Sequence, residues 1–401
     1  MESFVGMGSL WLDVVNIHER SSVIPNARDY RRARVLRARE KLHAIRSAHA
    51  DAPLILGLVG NVAWATGGVS QPIDRTAAFD AVWLVDAKEP TLLVSSVEMP
   101  RFAAEGDLEE LGFKVVGVPW YEANGYQRAA LREAQCDESL VLSDTGMGIN
   151  VTTELTEHRM VLSGGERELL RSLGESSARV VESAVRSWQP GVSADLSIAA
   201  EIAFGLETIG AEAVCLIVGG DERVKTFRHP MMTGAVVNEL LMAVAVVRWS
   251  GLHVALTRMA TTVSDERLSD DYRLVDTVAR STLAATVPGA TWGDAYDALS
   301  LAYRDVGHGQ GWRDHFQGGP IGYAQREFEL SPETTDSPFW SREIEENVAV
   351  AWNPSLHGGA KVEDTFLVGE SGSECVTTTG EWPRCDPDDP LSAAGLLLIG
   401  S

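Results

Sequence analysis

The stretch GGERELLRSLGESSARVVES, residues 164–183, begins a long helix at the start of the second half of the chain. Its apolar side chains recur every three or four residues, the spacing of a helix with one buried face. The helix is predicted from about Gly165 to Trp188, and Pro190-Gly191 ends it. The predicted buried face is formed by Leu170, Leu173, Val181, Ala184 and Val185.

The chain before this helix has a different pattern of apolar residues. Residues 26–150 alternate between helix-like and strand-like segments, which predicts an α/β layer domain. These segments are a basic helix over Tyr30–Ala48 and apolar runs over Leu54–Val59, Ala81–Val85, Thr91–Val94 and Lys114–Val118. A chain of 401 residues also exceeds the roughly 250–300 at which single cores stop growing. We therefore predict two domains, residues 1–155 and 156–401.

The second domain contains a weak internal repeat. PGVS (190–193) and PGAT (288–291) each follow a helical segment and precede another. Ser193 and Thr291 are predicted to be the N-caps of the helices that follow, because their hydroxyls can accept a bond from the first helical turn. Each half then consists of two helices followed by strands, and we expect a site between the duplicated halves.

Charge and hydropathy exclude several classes of partner. The net charge of -23 argues against nucleic-acid or anionic-membrane binding, which needs clustered Lys and Arg. The N-terminus lacks the pattern of a signal peptide, and the apolar stretch Gly234–Val247 is interrupted by Asn238 and Glu239. Four scattered cysteines fit neither a zinc site nor a disulfide framework. We expect a cytoplasmic protein without a membrane span, nucleic acid or cofactor.

Five motifs together resemble one enzyme superfamily. Besides residues 164–183 they are NVAWATGG (61–68), RHPMMTG (228–234), HFQGGPIGY (315–323) and AWNPSLHGGAKVEDTFLV (351–368). Their order and spacing resemble the superfamily of creatinase, aminopeptidase P, prolidase and methionine aminopeptidase. The resemblance implies an α/β (α+β) chain with a creatinase-like N-terminal domain and a duplicated pita-bread C-terminal domain. It also implies a homodimer.

The resemblance places the superfamily's metal ligands on unsuitable residues. Its peptidases hold two divalent cations on two Asp, one His and two Glu, which fall here on Val244, Ala255, His315, Asn353 and Glu363. Three of these five side chains cannot neutralise a divalent cation. We therefore predict no metal. In GHGQG (307–311), His308 is an alternative to His315 as the metal-position histidine, and either choice leaves the carboxylates missing.

Creatinase implies another chemistry for such a pocket. Its acid/base histidine corresponds to His229, and it too has an alanine at the second aspartate position. Two of its carboxylates correspond to Thr257 and Asn353 here, so creatine itself is not expected as the substrate. An imidazole suits proton transfer near neutral pH. The predicted catalytic residues are His229, His315, Glu327 and Glu363.

Further residues are predicted to contact the substrate. Arg326 and Glu327 are adjacent, so on a strand at most one of them faces the cavity, and we expect Glu327 to do so. Arg326 is nevertheless a candidate for binding a substrate carboxylate. His253 lies two residues from Ala255 on the same strand face. The predicted substrate-binding residues are Tyr323, Arg326, Asn353, Trp249, Arg258, Trp352 and His253.

These residues lead to one main functional hypothesis and three alternatives. The main hypothesis is a metal-independent, creatinase-like hydrolase that cleaves a C–N bond of a small polar molecule. The first alternative is a lyase or cyclase of specialised metabolism, for which a water-poor cavity with histidines would serve. The others are a non-catalytic binding protein and a mononuclear metalloenzyme with a reduced ligand set.

Overall fold

The computed structural model describes residues 27–69 and 73–399. The first part forms a six-stranded sheet of order β4-β3-β2-β1-β5-β6 with helices packed against it. Its elements are α1 (Ala27–Ala48), β1 (Leu54–Leu58), α2 (Val59–Ala65), β2 (Phe79–Asp86), β3 (Thr91–Ser95), α3 (Met99–Glu105), β4 (Lys114–Val118), α4 (Gly125–Ala134), a 3-10 turn (Glu138–Leu140), β5 (Leu142–Ser143) and β6 (Ile149–Asn150).

The second part contains two four-stranded sheets, of orders β14-β9-β8-β7 and β10-β11-β12-β13. Its elements up to β9 are α5 (Thr152–Met160), α6 (Gly164–Arg186), α7 (Asp195–Thr208), β7 (Glu212–Gly220), α8 (Asp221–Thr226), β8 (Leu240–Trp249) and β9 (Leu252–Thr261). They are followed by α9 (Glu266–Ala285), α10 (Trp292–Asp305), a 3-10 turn (Gly311–Arg313), β10 (Gly318–Ile321), β11 (Ala349–Trp352), β12 (Asp364–Gly369), β13 (Gly372–Cys375) and β14 (Leu396–Leu398).

The helix starts follow from local capping chemistry. α6 begins with a capping box in which the Ser163 side chain accepts from the Glu166 N–H and the Glu166 carboxylate accepts from the Ser163 N–H. Thr291 caps α10 in the same way, as predicted. The prediction for Ser193 is wrong, because its hydroxyl accepts from Gln189 N at 3.0 Å, and Ala194 precedes α7 without a side-chain cap.

The two four-stranded sheets meet along β9 and β12. Thr257 N donates to Glu363 O at 2.9 Å, and Ala255 N donates to the Thr365 hydroxyl at 2.8 Å. The Thr365 hydroxyl in turn donates to Ala255 O at 2.9 Å. These bonds satisfy backbone groups between the sheets and hold residues 255–257 beside residues 363–365. The mixed α/β fold class predicted from the sequence is confirmed.

The six-stranded sheet is formed entirely by residues 54–150, and the other two sheets by residues 212–398. The exact boundary near residue 155 stays a prediction. Within the two described ranges, no helix combines the length and the apolar character that crossing a lipid bilayer requires.

Candidate active site

A small cavity lies between the two four-stranded sheets, and four of the five positions that the resemblance assigns to the superfamily's metal ligands line it: Val244, Ala255, Asn353 and Glu363. Its volume is about 80 Å³. One wall consists of aliphatic side chains from β8 and β9, where Val244, Val246 and Ala255 point into the cavity. The polar lining consists of His229, Gln325, Arg326, Asn353, Lys361 and Glu363, together with the thiol of Cys215. The cavity is therefore half apolar wall and half a cluster of ionisable and amide groups.

His229 enters this cavity from the loop that follows α8. Its side chain is exposed at the mouth, and its ring meets that of His315 edge to face with 6.1 Å between centroids. Partial burial of the ring lowers the pKa of His229, and the positive charges of Lys361, Arg326 and Arg228 lower it further. The imidazole is therefore mainly neutral at physiological pH, the form that can accept a proton.

Both ring nitrogens of His315 are hydrogen-bonded within the protein. Its Nδ1 donates to Phe316 O at 2.6 Å, and the Ser355 hydroxyl donates to its Nε2 at 2.6 Å. Burial, and then the charge of Lys361, lower the pKa of His315 to about 3. Because both ring nitrogens are occupied, the predicted catalytic role does not fit, and His315 instead packs behind His229. The other candidate for the metal-position histidine, His308, is exposed after the end of α10. Of these two histidines, His315 is the one that lies next to the cavity, against His229.

Glu363 and Asn353 form a bonded pair in the cavity wall. Glu363 is 5% exposed. Its Oε2 accepts from the Thr257 hydroxyl at 2.9 Å, and its Oε1 accepts from Asn353 Nδ2 at 3.3 Å. This fixes the Asn353 amide with its Oδ1 buried and, among the described residues, without a hydrogen-bond donor. An unsatisfied buried acceptor is costly, so this oxygen is available to a bound molecule.

Lys361 is a cavity residue that the sequence analysis missed. It is 6% exposed and lies two residues before Glu363. In an extended segment, side chains two residues apart share a face, and this spacing is the signal that could have identified it. Burial lowers the pKa of Lys361, and the Glu363 carboxylate opposes that shift.

The expectation for Arg326 and Glu327 is half right. One of the two lines the cavity, but it is Arg326, stacked over Phe316 with 4.5 Å to the ring centroid. Glu327 turns away and forms a buried ion pair with Arg159, whose Nε donates to Glu327 Oε2 at 2.8 Å. The ion pair with Arg159 on α5 holds this carboxylate outside the cavity. A catalytic role for Glu327 does not fit this position.

Tyr323 belongs to a contact between the two parts of the chain. Its hydroxyl donates to Glu166 Oε1 at 2.5 Å and accepts from Arg34 Nη2 at 2.8 Å. The Arg34 guanidinium also donates to Ser250 Oγ at 3.0 Å. Because Tyr323 is 2% exposed within this network, it joins α1 to the second part. The predicted substrate contact is wrong.

Two other predicted substrate contacts are buried in the protein interior. Arg258 donates to Glu182 Oε1 and to Asp364 Oδ1, each at 2.9 Å. Trp352 stacks edge to face on Tyr296, and its Nε1 donates to a threonine hydroxyl at 3.2 Å. Both side chains lie on the faces of their strands that point away from the cavity, so the sequence prediction fails for both.

Trp249 and His253 also lie elsewhere. Trp249, at the end of β8, lines a separate cavity of about 340 Å³ near α2 and α7. His253 is buried, and its Nδ1 donates to Gly322 O at 3.0 Å. Burial lowers its pKa to about 4. It stabilises the contact between β9 and the segment after β10, which corrects its predicted substrate-binding role.

The donor set of the cavity does not fit the metal pair of the metallopeptidases. Val244 and Ala255 offer no donor atom, and both nitrogens of His315 are engaged. Glu363 remains as a carboxylate, but the ammonium of Lys361 lines the same cavity. Among residues 27–69 and 73–399, no group of three or more His, Cys, Asp or Glu side chains could hold a metal ion. The prediction that the chain binds no metal stays a prediction.

With this geometry the chain can be compared with known proteins. The model of metallopeptidase family M24 matches residues 168–370, about half of the chain, so the chain belongs to this family. The superfamily assignment made from the motifs is confirmed. No curated protein matches the chain significantly in sequence.

Solved structures extend the similarity over both parts of the chain. Dipeptidase PepE from Mycobacterium ulcerans is 18% identical with a TM-score of 0.71, over 92% of this chain and 98% of that one. Prolidase from Pyrococcus horikoshii OT3 is 16% identical with a TM-score of 0.69, over 86% and 98% of the two chains. The N-terminal domain of FACT complex subunit SPT16 from chickpea, Cicer arietinum, is 11% identical with a TM-score of 0.63, over 88% and 97%. At these identities the likeness shows a shared fold.

Proposed function

We propose that this chain is a metal-independent hydrolase that cleaves a C–N bond of a small polar molecule, with His229 as the acid/base group. The observation that carries the proposal is the lining of the cavity. At the position of the family's metal site, an imidazole opens into a space bounded by Val244, Ala255 and one carboxylate, Glu363. The cavity of about 80 Å³ is smaller than the roughly 300–1,000 Å³ of sites for drug-sized ligands. The substrate is accordingly a small molecule.

The proposed reaction uses His229 twice. Its neutral imidazole accepts a proton from water as the water oxygen attacks the carbon of the C–N bond. The imidazolium then donates that proton to the leaving nitrogen, so the ring returns to its starting state. The lowered pKa of His229 favours the first step, because the base is already unprotonated. Such proton transfer typically contributes 10²–10⁴-fold.

In this proposal, Asn353 and Glu363 orient the substrate. The bond from Asn353 Nδ2 to Glu363 Oε1 fixes which side of the amide faces the cavity. The free Asn353 Oδ1 can then accept from an N–H of the substrate or from the attacking water. Glu363 thus acts as a positioning residue, and its own oxygens stay bonded to Asn353 and Thr257.

The proposal is tested with chelator-treated protein and a panel of small amides, amidines, ureas, guanidines and dipeptides in ¹⁸O-labelled water. We expect turnover that persists after chelation, with ¹⁸O in the product. His229→Asn should lower the rate by roughly 100-fold or more. His308→Asn is the matched control, because His308 is exposed and does not line the cavity, and it should keep the rate.

Other outcomes would contradict the proposal in distinct ways. Loss of activity on chelation with recovery on adding one divalent ion would indicate a metalloenzyme. Turnover without ¹⁸O would indicate a lyase or cyclase. Tight binding without turnover would indicate a non-catalytic protein. The homodimer, the cytoplasmic location and the absence of nucleic-acid partners stay predictions.

A further inference from the structure

The ammonium of Lys361 is buried with too few partners. It carries three hydrogen-bond donors and is 94% buried, since 6% of the residue is exposed. Among the described residues its hydrogen bond is to Asn353 O, at a long 3.5 Å. A buried cation is expected to be paired, because leaving it unpaired costs several kcal/mol. Lys361 therefore needs an additional acceptor.

The neighbouring carboxylate does not supply that acceptor. Glu363 is close enough to favour the charged form of Lys361, but both of its oxygens accept from the neutral side chains of Thr257 and Asn353. The remaining charged group of the lining is Arg326, half exposed at the cavity mouth, where it also pairs with Glu329. The cavity thus presents two cations and one carboxylate to its contents.

We propose that the cavity binds the carboxylate of a small organic acid, with Lys361 as its buried partner and Arg326 at the mouth. A carboxylate accepts several hydrogen bonds through its two oxygens, which matches the unused donors of Lys361. The free Asn353 Oδ1 accepts an N–H from the same molecule. This inference rests on the proposed function and names its substrate class: a small carboxylic acid that carries the C–N bond to be cleaved.

Cys215 provides a reporter inside the same cavity. Its thiol lines the cavity, and the charges of Glu363, Arg326 and Lys361 act on it. Iodoacetate and iodoacetamide have similar size and both alkylate a thiolate with loss of iodide, but only iodoacetate is anionic. The ratio of their rates at one thiol therefore reports attraction of a carboxylate and cancels differences in thiol reactivity. Cys136, which follows α4 in the first part of the chain, serves as the internal reference.

The experiment measures this ratio at Cys215, normalised to Cys136, by peptide mass spectrometry. We expect Lys361→Met to lower the normalised ratio by about tenfold or more, because Lys361 and Cys215 line the same small cavity, where a unit charge acts strongly. Lys361→Arg should keep most of the ratio. Lys88→Met is the matched control, because Lys88 is exposed in the turn between β2 and β3, and it should change nothing.

A second variant covers the case in which Lys361→Met does not fold. Arg326→Met alters a half-exposed side chain and should lower the ratio by about threefold. An unchanged ratio in the folded Lys361 or Arg326 variants would overturn the inference. So would a Cys215 that neither reagent reaches, since the cavity would then be closed to a molecule of this size.

The alkylation ratio does not depend on turnover, so the two proposals can fail separately. If His229 variants keep full activity but the ratio behaves as expected, the anion site stands and the hydrolase mechanism falls. If the wild type hydrolyses only uncharged substrates and the ratio is unchanged in Lys361→Met, the mechanism stands and the substrate class is wrong.

Discussion

Removing the His253 imidazole should make the protein less sensitive to acid. His253 is buried on β9 and, with its Nδ1–H, donates to Gly322 O at 3.0 Å. Burial, and then the charges of Arg248 and Arg159, lower its pKa from 6.5 to about 4, while the bond to Gly322 opposes the shift. The unfolded chain therefore binds the proton more tightly than the folded one.

The sign and size of the effect follow from linkage. The folded pKa is below the unfolded value, so the neutral histidine contributes its stability above about pH 6.5. That stability is lost as the pH falls through 6.5 towards about 4. The total loss is about 3 kcal/mol, and about 2 kcal/mol of it should appear between about pH 7 and pH 5.

The assay is urea unfolding of wild type and His253→Gln at about pH 7 and pH 5. Glutamine keeps an N–H donor near Gly322 O but does not titrate. Wild type should lose about 2 kcal/mol more than the variant on acidification. Other titrating groups, including His315, act in both proteins and cancel in the difference. The exposed His308→Gln should match wild type. Equal losses in wild type and His253→Gln would refute the reasoning.

Three further predictions concern the buried polar groups. Glu327→Gln should lower the free energy of unfolding by about 3–5 kcal/mol, because it leaves the Arg159 guanidinium uncompensated; a smaller loss than about 1 kcal/mol in urea unfolding would contradict this. Tyr323→Phe should lower the free energy of unfolding by about 1–3 kcal/mol, because Arg34 and Glu166 lose the hydroxyl that they share. Double-mutant cycles with Arg34 should show this coupling. Lys361→Met should raise the thermal midpoint of the ligand-free protein by removing a poorly partnered buried cation, whereas a clear fall in calorimetry would show that the ammonium stabilises the fold.

Local patterns in the sequence were enough to predict the framework. The apolar periodicity of residues 164–188 predicted α6 within one or two residues at each end. The Pro-Gly-x-Thr pattern predicted the cap of α10, since capping uses atoms only three residues apart. Motif order and spacing identified the family. Val244, Ala255, Asn353 and Glu363, which the motif resemblance assigns to one site, line one cavity.

Neighbours distant in the chain decided the direction of individual side chains. Arg159, which lies 168 residues from Glu327, draws that carboxylate out of the cavity and leaves Arg326 at its mouth. Ser355, 40 residues from His315, occupies the nitrogen that catalysis would need.

The sequence by itself therefore determined the long helix α6, the cap of α10 and the family, because those depend on residue type and short-range spacing. Only the tertiary structure decided that His229 opens into the cavity, that Tyr323, Arg258 and Trp352 turn away from it, and that Lys361 enters it with few partners. The physical reason is that a buried polar group takes its orientation from the hydrogen bonds it must satisfy, and its partners come from segments whose proximity only the folded chain creates.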